Sequence, residues 1–402
     1  MSADTGRHNR VSDPVKIPGG FGLYVHWPFC VSKCPYCDFN SHVSDAVDHK
    51  AWQSGLLAEL DHFGNKTKGR RLDTVFFGGG TPSLMPPDTV AAILEALPRY
   101  WDVAPDIEIT LEANPSSVEA RKFADFRAAG VNRVSVGVQS FDNEALRFLG
   151  RAHSADAAAN AITIAKQTFD RTSFDLIYAL PGQNPEDWAR QLDRALGFSP
   201  EHLSLYQLTI EKGTTFYSDH RNGAFDLPDE ELAADLYELT GESVLKAGLH
   251  AYEVSNYAVI GQESRHNLIY WRGGDYAGIG PGAHGRLTID GQRYRSEQVP
   301  LPANWLGSIG QRGHATRVFE IITGPEQIIE YLLMGMRLSE GIDRRLFARR
   351  TGRKLEDCLD GARTKVLQEA GLIELDAAGL RATASGRLRL NALTEALVSE
   401  FV

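Results

Sequence analysis

The first two-thirds of the chain repeat one unit: a short apolar run rich in β-formers, a polar turn, then an amphipathic stretch. The apolar runs are Gly22–His26, Thr74–Phe77, Ile107–Leu111, Arg133–Val138, Ser173–Tyr178 and His202–Gln207. Between them lie Ala46–Phe63, Thr89–Leu97, Val118–Ala129, Ala157–Thr168 and Pro185–Leu196, with Asn184 ahead of Pro185 and Glu186 as a helix-start signal. Alternation of this kind predicts a parallel sheet, because each helix must carry the chain back before the next strand can pair in the same direction. Six units fall short of the eight of a closed barrel and predict an incomplete (β/α)6 barrel, with a doubly wound sheet as the alternative.

Composition narrows the class. The 402 residues are 43% hydrophobic and 23% charged, ordinary for a soluble protein of two or three domains. No apolar run approaches the roughly 20 residues of a membrane span. The start, 1–20, is polar and lacks the apolar core of a secretory signal, which predicts a cytoplasmic protein with reduced thiols. A net charge of −10 argues against a nucleic-acid partner.

Three of the four cysteines, Cys30, Cys34 and Cys37, fall in one C-x3-C-x2-C loop directly after the first apolar run. Thiolates are soft ligands suited to iron–sulfur clusters, zinc or copper(I). A 4Fe-4S cluster ordinarily takes four cysteines, so three leave one iron open to another ligand. A zinc site closed by His26 or His42 is the alternative, although no second cysteine pair is present. A disulfide would leave one of the three thiols over.

Polar residues collect where the other apolar runs end. Tyr24 lies in the first run, Gly78-Gly79-Gly80-Thr81-Pro82-Ser83 follows the second, and Glu112 and Gln139 follow the third and fourth. Asp175 lies in the fifth, and Tyr206 and Gln207 end the sixth. Ligands of parallel α/β folds bind at these carboxyl ends. Each residue alone suits a turn or a helix cap; beside the cysteine loop they form one candidate site.

The cysteine loop and the glycine-rich end of the second strand resemble the radical S-adenosylmethionine superfamily. That resemblance implies a 4Fe-4S cluster on Cys30, Cys34 and Cys37, whose open iron is chelated by the cofactor's amine and carboxylate, and homolytic cleavage of the cofactor. Within the superfamily, Tyr24-Val25-His26-Trp27-Pro28-Phe29-Cys30, Gly78-Gly79-Gly80-Thr81-Pro82 and Asp175-Leu176-Ile177-Tyr178-Ala179-Leu180-Pro181-Gly182 are similar to relatives of oxygen-independent coproporphyrinogen III oxidase. The resemblance implies Tyr24, Gly79, Gly80, Thr81, Glu112, Gln139, Arg151 and Asp175 as S-adenosylmethionine contacts.

Two departures turn the resemblance from the oxidase toward the HemW heme chaperone family. Asp38-Phe39 follows Cys37 where the oxidase has a further cysteine, and the segment before the first strand is shorter. His266-Asn267-Leu268-Ile269-Tyr270-Trp271 is similar to that family's H-N-x-x-Y-W motif, which implies His266, Tyr270 and Trp271 as heme-binding candidates; His284, in a glycine-rich segment, is an equally open question. The implied partners are heme, heme-acceptor proteins and an electron donor for the cluster, with no nucleic acid and no membrane span; a homodimer is left open. Radical decarboxylation of a porphyrinogen and a zinc-stabilised (β/α) binding protein stand as the alternative functions.

The organisation expected is a polar segment over 1–20, the partial barrel over 21–250, a connecting region with the H-N-x-x-Y-W motif over 251–324, and a C-terminal α+β, winged-helix-like domain over 325–402. After Pro281 the chain reads as irregular to about Pro325. Then Glu326–Leu338, Arg344–Arg350 and Leu355–Ala370 read as helices, and Gly371–Leu375 with Gly379–Thr383 as a hairpin. The basic run Arg344, Arg345, Arg349, Arg350, Arg353 and Lys354 reads as a solvated helix face, and Cys358 as an ordinary thiol.

Overall fold

The computed structural model of the chain describes residues 16–44 and 46–398, so most of the polar start lies outside the described residues. Each of the six apolar runs forms a strand. β1 (Phe21–Trp27) leads through the short parallel pair β2 (Phe29–Cys30) and β3 (His42–Val43) to β4 (Arg71–Gly79), β5 (Asp102–Ala113), β6 (Arg133–Gln139), β7 (Arg171–Tyr178) and β8 (His202–Gln207). β1 and β4 to β8 are parallel neighbours in chain order. Beyond β8 the edge is closed off by β10 (Asn256–Ala258), which runs antiparallel to it and pairs with β9 (His250–Ala251). The two outermost strands of the sheet do not meet, so the barrel is open.

Alternation along the strands makes two unlike faces. Phe21, Leu23, Val25 and Trp27 of β1, with Val75, Phe77, Leu111, Val134, Val136, Leu176, Leu203 and Leu205, enter the main apolar core. The intervening residues are mostly polar or small, Phe76 and Ile177 being exceptions, and several bond across the opposite face. Thr74 bonds His266, Ser135 bonds Asp175, Ser173 bonds His202, and Arg133 reaches Thr110. The helix-covered face holds the fold together; the opposite face carries the candidate site.

The stretch after Pro281 differs from its expected irregularity. β11 (Asp275–Ile279) adds a seventh parallel strand on the free edge of β1, and β12 (His284–Ile289), β13 (Gln292–Gln298) and β14 (Thr316–Ile321) extend the sheet antiparallel. β13 reads Gln-Arg-Tyr-Arg-Ser-Glu-Gln, so no hydrophobic alternation announces it. The available signal was Asp290-Gly291, which takes φ of 49° and 79° in the two-residue turn of the β12–β13 hairpin. The expected helix Val118–Ala129 is two helices, Ser117–Arg121 and Phe123–Ala128, and Leu355–Ala370 is helical as a short 3-10 turn followed by Gly361–Glu369.

The C-terminal part has a core of its own, including Ile328, Leu332, Phe347, Leu380 and Leu393, under helices and a three-stranded sheet of β15 (Ile342–Asp343), β16 (Ile373–Leu375) and β17 (Gly379–Ala382). Cys358 is buried in that core. Arg350 departs from the solvated face expected for its run: its side chain is 4% exposed and bonds Asp275 of β11 at 2.6 Å. Among the described residues no helix is long and apolar enough to cross a membrane.

Candidate functional site

The cysteine loop is held by backbone and by glycine. Gly80 donates to the Trp27 carbonyl and Thr81 to that of Phe29, so the end of β4 is tied beneath the start of the loop. A Cβ on Gly80 would stand 2.7 Å from the Phe29 oxygen and 3.0 Å from Cys30 Sγ. Gly79 has φ of 112°, and a Cβ there would strike the His26 ring at 2.6 Å. Side chains at either position would push the loop off the sheet.

A polar chain then joins two of the thiols. Thr81 Oγ1 lies 3.4 Å from Cys30 Sγ and receives Asn114 Nδ2 at 3.1 Å. Asn114 Oδ1 accepts from Arg151 Nη2 at 2.5 Å, and Arg151 Nη1 donates to Cys34 Sγ at 3.3 Å. Arg151 Nε is buried with no partner. Cys37 Sγ lies 3.8 Å from Ser41 Oγ. Burial pushes the Cys30 and Cys37 thiols up, opposed at Cys30 by the Thr81 hydroxyl and at Cys37 by the Phe39 backbone. Asn114 escaped the sequence reading, since its place in a strand-end turn has no distinguishing pattern.

This donor set fits a cluster better than a single ion. Among the described residues no three His, Cys, Asp or Glu side chains converge closely enough to hold one metal ion. His26 is spoken for, with Nδ1 3.0 Å from the Tyr24 hydroxyl and Nε2 2.9 Å from the Asn40 carbonyl, and His42 Nε2 bonds Asn40 Oδ1. Closing a tetrahedral zinc site would break these bonds.

Farther along the strand ends sit two carboxyls. Burial, then the nearby Asp175, raises Glu112 to about 8, against a hydrogen bond from the Gly79 backbone. Burial raises Asp175 to about 6, opposed by the hydroxyls of Ser204 and Ser135 and by Arg133. Near neutral pH Glu112 holds a proton and Asp175 is largely ionised. Gln139 ends β6 at a register shift with φ of 67°, a conformation rarely kept outside glycine and concentrated at binding sites.

A cavity of about 520 Å³ opens beside these strand ends. Tyr24, Gly79 and Glu112 line its inner part, and Tyr270, Trp271, Tyr276, His284, Arg286 and Arg293 continue the wall toward Tyr331 and Met334 of the C-terminal helix Gly324–Gly335. Gly80, Thr81, Gln139, Arg151 and Asp175 do not line it.

The three residues of the H-N-x-x-Y-W motif are divided. Tyr270 and Trp271 face the cavity; His266 is 1% exposed behind it. Its Nδ1 bonds Thr74 Oγ1 and its Nε2 bonds the Tyr270 hydroxyl, both at 2.6 Å, and its ring stacks on Phe76. Burial lowers its pKa to about 3. In this structure both ring nitrogens of His266 are hydrogen bonded, and the ring braces Tyr270 against β4.

Residues 24–195 match the radical SAM superfamily and residues 322–389 the HemN C-terminal domain. The chain is 38% identical to the heme chaperone HemW of Escherichia coli, over 96% of this chain and all of that one. It is 42% identical to the mitochondrial radical S-adenosyl methionine domain-containing protein 1 of Bos taurus, over 94% of this chain and 87% of that one. Its fold is similar to that of coproporphyrinogen III oxidase (HemN) from Escherichia coli, with a TM-score of 0.78 at 24% identity, over 94% and 89% of the two chains.

Proposed function

The chain belongs to the HemW heme chaperone family of the radical SAM superfamily, and from that premise we propose that it binds heme beside a 4Fe-4S cluster and S-adenosylmethionine and passes the heme to acceptor proteins in the cytosol. The observation that carries the reading is the junction of two features. Three part-buried thiols stand at the strand ends, and an aromatic cavity opens next to them.

Cys30, Cys34 and Cys37 would hold the cluster, with Arg151 neutralising charge at Cys34 and Thr81 donating to Cys30. A bound cluster supplies the electron for reductive cleavage of S-adenosylmethionine. Gly79 and Gly80 leave room for the cofactor's methionyl end against the backbone. Tyr24, Thr81, Glu112, Gln139 and Asp175 would hold its amino and hydroxyl groups. An electron donor and heme acceptors are the partners this reading requires.

Glu112 provides a proton readout. A cofactor ammonium beside it favours the carboxylate, so binding drives a proton off a group that otherwise keeps it up to about pH 8. The affinity of the cluster-loaded chain for S-adenosylmethionine is expected to rise toward pH 8 more steeply than that of Glu112→Gln. Calorimetry in buffers of different ionisation heat measures the released proton, and equal slopes would remove Glu112 from the site.

Heme would lie against Tyr270 and Trp271, whose rings offer stacking surface. His266→Ala is expected to cost about 2–4 kcal/mol of stability, through the lost ring and the two partners left unbonded. It should leave the Soret maximum of bound heme in place. A stable His266→Ala protein with a shifted Soret band would restore His266 as a ligand.

A further inference from the structure

Resting on the cluster reading above, we propose that Asn114 is a positioning residue for the cluster: it aims one proton at Cys30 Sγ and one at Cys34 Sγ, and so raises the cluster's reduction potential.

A guanidinium donates hydrogen bonds and accepts none. Arg151 Nη2 lies 2.5 Å from the Asn114 side chain, so the atom that meets it is the amide oxygen. The amide nitrogen then faces Thr81 Oγ1 at 3.1 Å and donates to it. Thr81 is buried, and the acceptor left for its own proton is Cys30 Sγ, 3.4 Å away. On the other side Arg151 Nη2 is shared between Asn114 and the Gly137 carbonyl at 3.0 Å, which turns Nη1 to Cys34 Sγ at 3.3 Å. One side chain thus sets the direction of both sulfur contacts. Cys37 stands outside the chain, with Ser41 Oγ 3.8 Å from its sulfur.

Asn114 is anchored independently of the thiols. Its backbone N–H donates to Glu119 Oε2 at 2.9 Å, and the buried Glu119 also accepts from the Ser83 and Ser116 hydroxyls. The amide can therefore hold both donors in place while the sulfurs take iron. Protons directed at cluster sulfurs stabilise the added negative charge of the reduced state, and cluster potentials follow such hydrogen bonds. The Arg151 contact is charge-assisted, and it polarises the amide and the hydroxyl beyond it. Asn114 so carries part of the guanidinium's pull from Cys34 across to Cys30.

The test is a redox titration of the anaerobically reconstituted full chain, followed by electron paramagnetic resonance of the reduced cluster. Asn114→Leu and Asn114→Ala remove the amide and keep all three thiols. Each is expected to lower the equilibrium constant of one-electron reduction about tenfold, equivalent to about 59 mV. Thr81→Val should lower it by less. In the Asn114→Leu background Thr81→Val should add little, because the hydroxyl there is no longer turned to Cys30. Fully additive shifts would mean that the two residues act apart, and would overturn the assignment. So would a natural potential in the cluster-loaded Asn114 variants, or loss of the cluster from both of them. A natural chain that takes up no cluster would instead remove the cluster reading itself.

Discussion

Replacing Cys34 with Ala is expected to take the anaerobically reconstituted protein from about four irons per chain to almost none. Cys30→Ala and Cys37→Ala should do the same. The three thiols are the whole soft donor set at the strand ends, and the fourth cysteine, Cys358, is buried in the separate C-terminal core. Losing one ligand strands a second iron without a protein donor and also leaves Arg151 Nη1 without its sulfur acceptor. Cys358→Ser should keep full iron and sulfide. Iron and sulfide analysis reads the result; a full cluster in Cys34→Ala would contradict the assignment.

A comparably large effect is expected far from the thiols. Asp275 is fully buried on β11 and binds Arg70 at 2.9 Å, Arg293 at 3.2 Å and Arg350 at 2.6 Å, and its Oδ1 also accepts from the Thr288 hydroxyl. Removing one partner of a buried ion pair costs about 3–5 kcal/mol, and here three cations lose their counter-charge together. Asp275→Ala is therefore expected to lose at least that much in chemical denaturation. Arg350 belongs to the C-terminal helix Arg344–Thr351 and also bonds the Tyr331 hydroxyl. The same substitution should accordingly loosen the C-terminal unit from the sheet, read as faster amide exchange in Gly324–Gly335. A loss below about 1 kcal/mol would mean that the charges relax into solvent and the network holds nothing.

The legible parts of the fold were those set by local periodicity. The six parallel strands alternate apolar residues toward one core, and that alternation is written in consecutive residues. The clustered thiols were equally plain. β13 was hidden because Arg293, Ser296 and Gln298 are polar yet buried. Their burial depends on β12 and β14, not on their own sequence. Arg350 looked solvated because its partner lies 75 positions away. His266 illustrates a different limit: a histidine beside Tyr and Trp has the same sequence whether its nitrogens face an iron or Thr74 and Tyr270. The register of Gly22 against Thr74, which brings both beside the His266 ring, is set by strands far from it in sequence. Asn114 gains meaning only where several strand ends meet, since its partners Thr81 and Arg151 come from other strands' ends.

Heme binding without porphyrinogen chemistry is the central claim. It is tested most directly on one sample of cluster-loaded protein, divided between a heme titration and an anaerobic assay with coproporphyrinogen III, S-adenosylmethionine and a reductant. The expected result is saturable binding of one heme per chain with a defined Soret band, and no protoporphyrinogen formed. Catalytic conversion of coproporphyrinogen III, with no saturable heme binding, would contradict it.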